Sequence, residues 1–489
     1  MTDHIPDTHA HSHGEGGFCL CQSPAFARLN AMLEVQFTRR AFLAGATAGI
    51  GALALWPMDA RAGIPDAPAA AVVFTNVNIF DGRSPTLITG NRVVVQGNRI
   101  ARIEPDSGPL PEGVQVIDGG GRTLMPGLID AHWHAMMCAM PMMELMTADI
   151  GYVTMVAGEE AGRTLMRGFT SIRDMAGPVF GLKHAIDRGV APGPRIWPSG
   201  AMISQTSGHG DFRLPYEVPA DSAAPLSHGE VSGVGMVADG VDEVLKRARE
   251  QLMKGATQLK LSAGGGVAST YDPIDVAQYT EAEFRAAVDS AENWGTYVAV
   301  HAYTSRAIQI AIRGGVRCIE HGQLMDEDTA KMMAEKDIWF SSQAFVEGPF
   351  ANPYPEGSEN RRKQQTMFAG TDTAYGLARK YKLKTAWGTD ILFNPGMTRN
   401  QGAILASMTR WYSPAEVLIM ATGTNAELLQ MCGPRNPYPA PVGVIAAEAM
   451  ADLLLIDGDP IADLELIANP DKNMKIIMKD GRIYKNTLG

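Results

Sequence analysis

Cysteine is scarce, with five residues in a chain of 489. Cys19 and Cys21 stand near the N-terminus; Cys138, Cys318 and Cys432 are an odd remainder without metal-ligand spacing. A disulfide framework is therefore not expected, and neither is a zinc–cysteine module. Buried thiols are, with Cys318 as small apolar filler in a strand-like run. No apolar run reaches the roughly 20 residues of a comfortable membrane span. Positive charge is also short, with 42 Lys and Arg against 53 Asp and Glu, a net charge of −11. With no basic stripe, and no aromatics interleaved with cations, that balance argues against a nucleic-acid partner. Internal repeats and heptad arrays are missing too, which sets aside solenoids and coiled coils.

What the chain does have is polar chemistry at the ends of apolar runs. Residues 123–134 run from Thr123 through Leu128-Ile129-Asp130-Ala131 to His132-Trp133-His134. On a strand, positions i and i+2 share a face, so both imidazoles can reach one metal ion. Lys260 closes a second apolar run, His301 a third, His321 a fourth, and Asp390, in Gly388-Thr389-Asp390, a fifth. Between them lie stretches with apolar residues at helical spacing, at 242–255, 281–294, 305–314 and 326–336. Adding 170–174, 195–200 and 338–343 gives eight strand candidates alternating with helices, the count for a parallel (β/α)8 TIM-type barrel. In such a barrel the strands' C-terminal ends carry the chemistry, and all these polar residues fall there. A buried lysine or aspartate without a partner would be costly, so pairing through a metal is the economical account.

This ordered set, His-x-His, a strand-end lysine, two later histidines and Gly-Thr-Asp, resembles the amidohydrolase superfamily, in the imidazolonepropionase-related branch with prolidase-like and ochratoxinase-like amidases. The likeness runs from about Ala71 to the C-terminus and includes 168–174, Ser207-Gly208-His209-Gly210-Asp211 and 421–428. It implies a binuclear zinc site, with His132, His134 and Asp390 on one ion, His301 and His321 on the other, and Lys260 bridging them as a carboxylated lysine. Electrostatics agree, because an ammonium between two dications is repelled whereas a carbamate supplies negative charge and two oxygens. The resemblance further implies attack of a metal-bridging hydroxide on an amide carbonyl, with Asp390 as base and then acid, and His209 contacting that carbonyl. Tyr303 looks like a position that holds a substrate carboxylate; an ordinary barrel-mouth aromatic is the alternative. The implied substrate is a small amide or dipeptide, Xaa-Pro-like or N-acyl amino acid, possibly an ochratoxin-like amide. A mononuclear cyclic-amide or lactone hydrolase is a second reading, and a non-catalytic periplasmic metal- or ligand-binding protein a third. Related barrels also suggest a homo-oligomer.

Elsewhere, Arg173 and Asp174 are expected to pair internally, and His184 and His228 to be non-catalytic. The crowd Met136, Met137, Met140, Met142 and Met143 reads as core or pocket lining. Loops 206–239 and 344–365 are long enough to shape a barrel mouth; Arg213, Tyr216, Arg361 and Arg362 in them could meet an anion or simply be solvated.

Both ends of the chain are β-rich, and the resemblance implies that 63–123 and 436–489 meet in one small β-sandwich around a barrel of 124–435. Ahead of them, Thr38-Arg39-Arg40-Ala41-Phe42-Leu43, an apolar run to Trp56 and Ala60-Arg61-Ala62 look like a twin-arginine export signal within residues 1–62. Export by the twin-arginine machinery and a periplasmic location follow. His4, His9, His11 and His13 with Cys19 and Cys21 form a biased leader tail.

Overall fold

The computed structural model describes residues 71–220, 224–351 and 353–488. The expected export signal, the N-terminal histidines, Cys19 and Cys21 lie outside them.

The first strands are short apolar runs broken by turn residues. β1 (Val72–Thr75), β3 (Asn91–Gln96), β4 (Arg99–Pro105) and β5 (Gln115–Asp118) form a four-stranded sheet in the order β4-β3-β1-β5. β2 (Asn78–Ile79) and β6 (Thr123–Pro126) join β17 (Leu453–Ile456), β18 (Met474–Lys479) and β19 (Arg482–Asn486) in a second sheet, ordered β19-β18-β17-β6-β2. The antiparallel register Thr123↔Ile456 to Pro126↔Leu453 thus ties the two ends of the described chain together. Val72, Phe74, Val93 and Ile117 from one sheet share a hydrophobic cluster with Leu124, Leu453, Leu455 and Ile476 from the other. Between β18 and β19, Asp480 (φ 56°) and Gly481 (φ 72°) make the Asp-Gly turn that suits a two-residue hairpin. A Cβ on Gly481 would lie 1.9 Å from the Gly97 carbonyl, so the two sheets touch backbone to backbone there.

Lys479, buried on β18, has its amine pushed down to about 8, by burial first and by the nearby Arg195 charge, against Asp452 and Asp480. The unfolded chain holds that proton up to about pH 10.5, so stability rises with pH between about 8 and 10.5 as the folded amine loses its charge. Urea unfolding of Lys479→Met should show a midpoint above the parent's at pH 7, and the difference should shrink at pH 9.5.

A parallel strand forms within or overlapping each of the eight expected runs: β7 (Leu128–Trp133), β8 (Phe169–Asp174), β9 (Arg195–Pro198), β12 (Leu259–Ser262), β13 (Val298–Thr304), β14 (Cys318–Leu324), β15 (Trp339–Ser342) and β16 (Thr385–Trp387). Their pairings are parallel and fall into two arcs, β7-β8-β9 and, with β10 (Met202–Ser204) and β11 (Gly235–Val237) at its edge, β11-β10-β12-β13-β14-β15-β16. At one seam Thr257 N–H donates to the Pro198 carbonyl (2.8 Å); at the other Asp390 N–H donates to the His132 carbonyl (2.8 Å). The third strand departs from expectation. It stops at Pro198, which has no N–H to continue a ladder, and the chain resumes after Gly200 as β10 (Met202–Ser204), paired with β11 (Gly235–Val237).

Helices Gly240–Lys254, Glu281–Asn293, Ser305–Arg313 and Glu327–Glu335 match the periodic stretches. Thr280 and Glu283 form a capping box at the start of the second, which fixes where it begins. Residues on one face of the strands, such as Val298, Val300, Ile319 and Phe340, pack with Ala307, Ile308, Ala311 and Met333 of these helices. Those on the other face, including Trp197, Tyr297, Ala299, Cys318, Trp339 and Ala386, cluster in the interior. Among the described residues no helix is long and apolar enough to cross a membrane.

Candidate metal centre and active site

Alternation along the strands decides which polar residues meet. Tyr297, Ala299 and His301 step along the inner face of β13, as Cys318 and Glu320 do on β14. On β8, Arg173 points inward and its neighbour Asp174 cannot, which overturns the expected Arg173–Asp174 pair. Arg173 instead donates to both carboxylate oxygens of Glu320 (2.7 and 2.8 Å), to Ser341 Oγ (3.0 Å) and to the Tyr297 hydroxyl (3.1 Å). Asp174 accepts from Ala135 N–H (2.7 Å). Cys318, expected as apolar filler, belongs to this polar network, with Sγ 3.1 Å from Glu320 Oε1. Cys138, Cys318 and Cys432 are all buried free thiols.

Above this layer His132, His134, Lys260, His301, His321 and Asp390 line one cavity of about 420 Å³, with His209 and Tyr303. The parallel register slips between Asp130 and Trp133, where the first two histidines emerge. Asp390 Oδ1 lies 2.9 Å from His134 Nε2 and 3.3 Å from His132 Nε2, and Oδ2 lies 3.9 Å from His321 Nδ1. His132 Nδ1 donates to Glu320 Oε2 (2.8 Å), and His321 Nδ1 to Gln343 Oε1 (2.7 Å). Each of these two rings thereby keeps Nε2 free of its anchoring partner, the arrangement by which a ligand histidine is oriented from behind. His301 Nε2 is 3.0 Å from the Gly265 carbonyl. Two of these residues, His321 (φ 81°) and Asp390 (φ 55°), have left-handed backbones, a strain that concentrates at functional sites.

The electrostatics suit a cation. Burial lowers His132 to about 3 and His321 to about 4, with Lys260 adding repulsion in both cases, and lowers His301 as well. These imidazoles are neutral and able to ligate. Burial opposes ionisation of Asp390, yet His132 and His134 hold its carboxyl below the usual range. Lys260, 2% exposed, is pushed down to about 8 by burial, with Glu320 and Asp390 pulling the other way. Among the described residues no hydrogen bond reaches its amine. His134 Nδ1 is likewise buried without a partner, and ligating atoms of His132, His321 and Asp390 lie within 4.8 Å of one another. Neutral imidazoles, an ionised carboxylate and a buried amine poised to lose its proton fit a divalent metal ion.

His209, in the loop after β10, stacks on His301 with ring centroids 3.9 Å apart. A Cβ on Gly266 would fall 1.9 Å from His209 Nδ1. Gly266→Ala must therefore displace that ring, and a drop in turnover of about tenfold or more is expected with bound metal unchanged, read from kinetics beside metal analysis. Tyr303 is buried beside His301 and His321, at 4.8 and 5.3 Å between centroids. Burial raises its phenol well above the ordinary value, so it remains a donor. His184 and His228 are exposed and do not line this cavity.

Most of the remaining wall is apolar, with Gln364, Thr389 and Asn394 as polar exceptions. Phe212 comes from loop 206–239, and Phe345, Phe350 and Tyr354 from loop 344–365. Met137 and Met142 line the cavity too, whereas Met136 and Met140 lie in the core and Met143 is exposed. Leu392, Phe393 and Met397, directly after Asp390, complete the wall, and nothing in their sequence marked them beyond that adjacency. Two loop arginines are internal anchors. Arg213 pairs with Asp211, and Arg361 with Glu347 (2.8 Å) and Glu356 (3.0 Å). Tyr216 is exposed, and Arg362 donates to the Gly357 carbonyl. Among the described lining residues Lys260 is the single Lys or Arg.

Comparison with known proteins identifies a family. Residues 123–484 match the amidohydrolase family. An ochratoxinase of Aspergillus niger is 32% identical over 327 residues, 66% of this chain and 66% of its own length, so the match spans just under two thirds of that relative. A crystal structure of an amidohydrolase superposes with a TM-score of 0.78 at 34% identity, covering 86% of this chain and 100% of that one. A prolidase complexed with N-methylphosphonate-L-proline gives 0.77 at 34% identity, with the same coverage. That family model spans the stretch carrying the inward histidines, lysine and aspartate at the strand ends of a (β/α)8 barrel-type fold, and the chain belongs to the amidohydrolase family.

Proposed function

We propose that this hydrolase of amide bonds is a binuclear, zinc-dependent enzyme that cleaves the amide or peptide bond to an amino acid, with Lys260 carboxylated. The observation that carries the reading is the convergence of six ligand-type residues, His132, His134, Lys260, His301, His321 and Asp390, on one cavity. When bound, the ions supply Lewis acidity and an acidified water. Asp390, ionised and held between His132 and His134, accepts the proton of the attacking water and returns it to the leaving nitrogen. His209 faces the substrate carbonyl. Tyr303 offers a neutral donor to a substrate carboxylate, in a cavity whose other lining provides no arginine. The aromatic wall of Phe212, Phe345, Phe350, Tyr354 and Phe393 favours a bulky apolar group beside the scissile bond. Xaa-Pro-like dipeptides, N-acyl amino acids and ochratoxin-like amides fit that description, and the likeness to a prolidase and an ochratoxinase supports it.

One observation favours a second reading. Only His132, His321 and Asp390 bring ligating atoms within 4.8 Å of one another among the described residues, which is enough for a single ion and cyclic-amide hydrolysis. Metal analysis separates the two. About two zinc ions per chain, with marked loss in Lys260→Ala, is the expected result. One ion indifferent to Lys260 would favour the mononuclear reading, and none a binding protein. We further infer that the two terminal sheets, with their shared core, form one β-sandwich drawn from 63–123 and 436–489, beside a barrel of 124–435 whose first residues, to Pro126, complete β6. Residues 38–62 support twin-arginine export to the periplasm, and the family resemblance supports homo-oligomerisation.

A further inference from the structure

Behind His209 lies a buried carboxylate that the mechanism above does not use. Asp272, 1% exposed, sits in the loop that follows β12, where Oδ2 accepts from Gly266 N–H (2.7 Å) and from Gln278 Nε2 (3.5 Å). The same Oδ2 is 3.6 Å from His209 Nδ1, and Oδ1 is buried without any partner. Ser269 Oγ is 2.8 Å from His209 Nδ1 and donates its own proton to the Gly266 carbonyl (3.3 Å). A hydroxyl that donates elsewhere can only accept from Nδ1, and an ionised carboxylate only accepts. Both neighbours of Nδ1 therefore call for a proton on that nitrogen, which leaves Nε2 to the cavity that His209 lines.

The loop carrying these acceptors is itself pinned. Lys363, 5% exposed in the helix Glu359–Tyr381, donates to the carbonyls of Ser269 (3.1 Å) and Asp272 (2.7 Å). Asn360 Nδ2 donates to the Val267 carbonyl (2.6 Å), and Gln278 Oε1 accepts His209 N–H (3.0 Å). A buried lysine holding two carbonyls of one short loop, around a carboxylate with a spare lone pair, is a costly arrangement for surface packing alone.

We propose that Asp272 is a positioning residue, which with Ser269 fixes His209 as the tautomer protonated on Nδ1 and so selects Nε2 as the nitrogen presented to substrate. Asp272 does not touch substrate and acts through His209, while Lys363 keeps its loop in register.

The kinetic part of the test rests on the hydrolase reading; the spectroscopic part does not. In zinc-loaded full-length protein labelled with 15N-histidine, long-range 1H–15N spectra identify His209 by its disappearance in His209→Asn. The parent should show Nδ1 protonated, and Asp272→Asn should show a mixture of tautomers at unchanged metal content. With a Phe-Pro dipeptide as probe, Asp272→Asn should lower kcat by about 10- to 100-fold with little change in KM, the range found when groups behind active-site residues are removed. In a His209→Asn background the same change should add nothing. An unaltered His209 tautomer, or an equal fall in kcat in both backgrounds, overturns the proposal. Should the parent fail to cleave the dipeptide, the hydrolase reading of that probe fails while the spectra still decide the positioning. Should Asp272→Asn not fold, Ser269→Ala is read in the same way and must shift the tautomer.

Discussion

Asp390→Asn is expected to lower amide hydrolysis by about a thousandfold while the protein still binds metal. The substitution keeps an oxygen where Oδ1 stands and removes the ability to accept a proton. Transfer by a positioned carboxylate contributes roughly 10²- to 10⁴-fold. In the proposed mechanism that transfer falls to Asp390, which lies 2.9 Å from His134 Nε2 and 3.3 Å from His132 Nε2, with its carboxyl held ionised. Its backbone is fixed as well, since N–H donates to the His132 carbonyl (2.8 Å). Turnover of a dipeptide panel beside metal content checks the expectation. Undiminished turnover with metal intact would remove Asp390 from proton transfer, and joint loss of metal and activity would assign it to ligation alone.

The second large effect is on folding. Glu320→Gln should destabilise the metal-free protein by about 3–5 kcal/mol, the usual cost of removing one partner from a buried ion pair. Arg173 and Glu320 are both fully buried, and the variant leaves a guanidinium with no counter-charge. Burial raises the pKa of Glu320, but Arg173 and His132 overcome it and hold the carboxylate well below its ordinary value. The stability it contributes is therefore present above the unfolded carboxyl's pKa and is lost only as the pH falls through the depressed folded one. Arg173→Met should cost a similar amount, and the double variant Arg173→Met with Glu320→Leu less than the sum of the single variants. Urea midpoints measured with a chelator present keep metal binding out of the comparison. Additive losses would mean that the pair is not coupled.

The elements that the sequence made legible share one trait: a polar residue closing an apolar run. Lys260 and His301 are legible because a charge or an imidazole in such a strand calls for a polar surrounding, and both line the cavity. Glu320 has the same trait, but its neighbour His321 drew the attention, and the left-handed backbone at His321 that lets consecutive residues serve one site has no sequence signature. Arg173 and Asp174 are adjacent in sequence, yet a strand's two faces separate them. Cys318 reads as filler because Arg173, which draws it and Glu320 into one network, comes from another strand 145 positions away. Met202-Ile203-Ser204 was too short a run to announce β10. The wall after Asp390 and the Asp272 loop are set by tertiary packing, which local pattern does not encode.

The pairing of Thr123–Pro126 with Leu453–Ile456 has a bearing on how the chain acquires its structure. Thr123 Oγ1 donates to the Gly458 carbonyl across 335 positions of sequence, so this contact must wait until residue 458 has been made. Only Gly127 separates β6 from β7, and Gly127 N–H itself donates to the Asp452 carbonyl (2.9 Å). The first barrel strand is thus anchored by residues made among the last. Such long-range closure slows folding, and until it occurs the apolar side chains of Leu124 and Met125 lie on an unpaired strand edge. During synthesis that edge is the natural place for a chaperone to act and, when none does, for aggregation to begin.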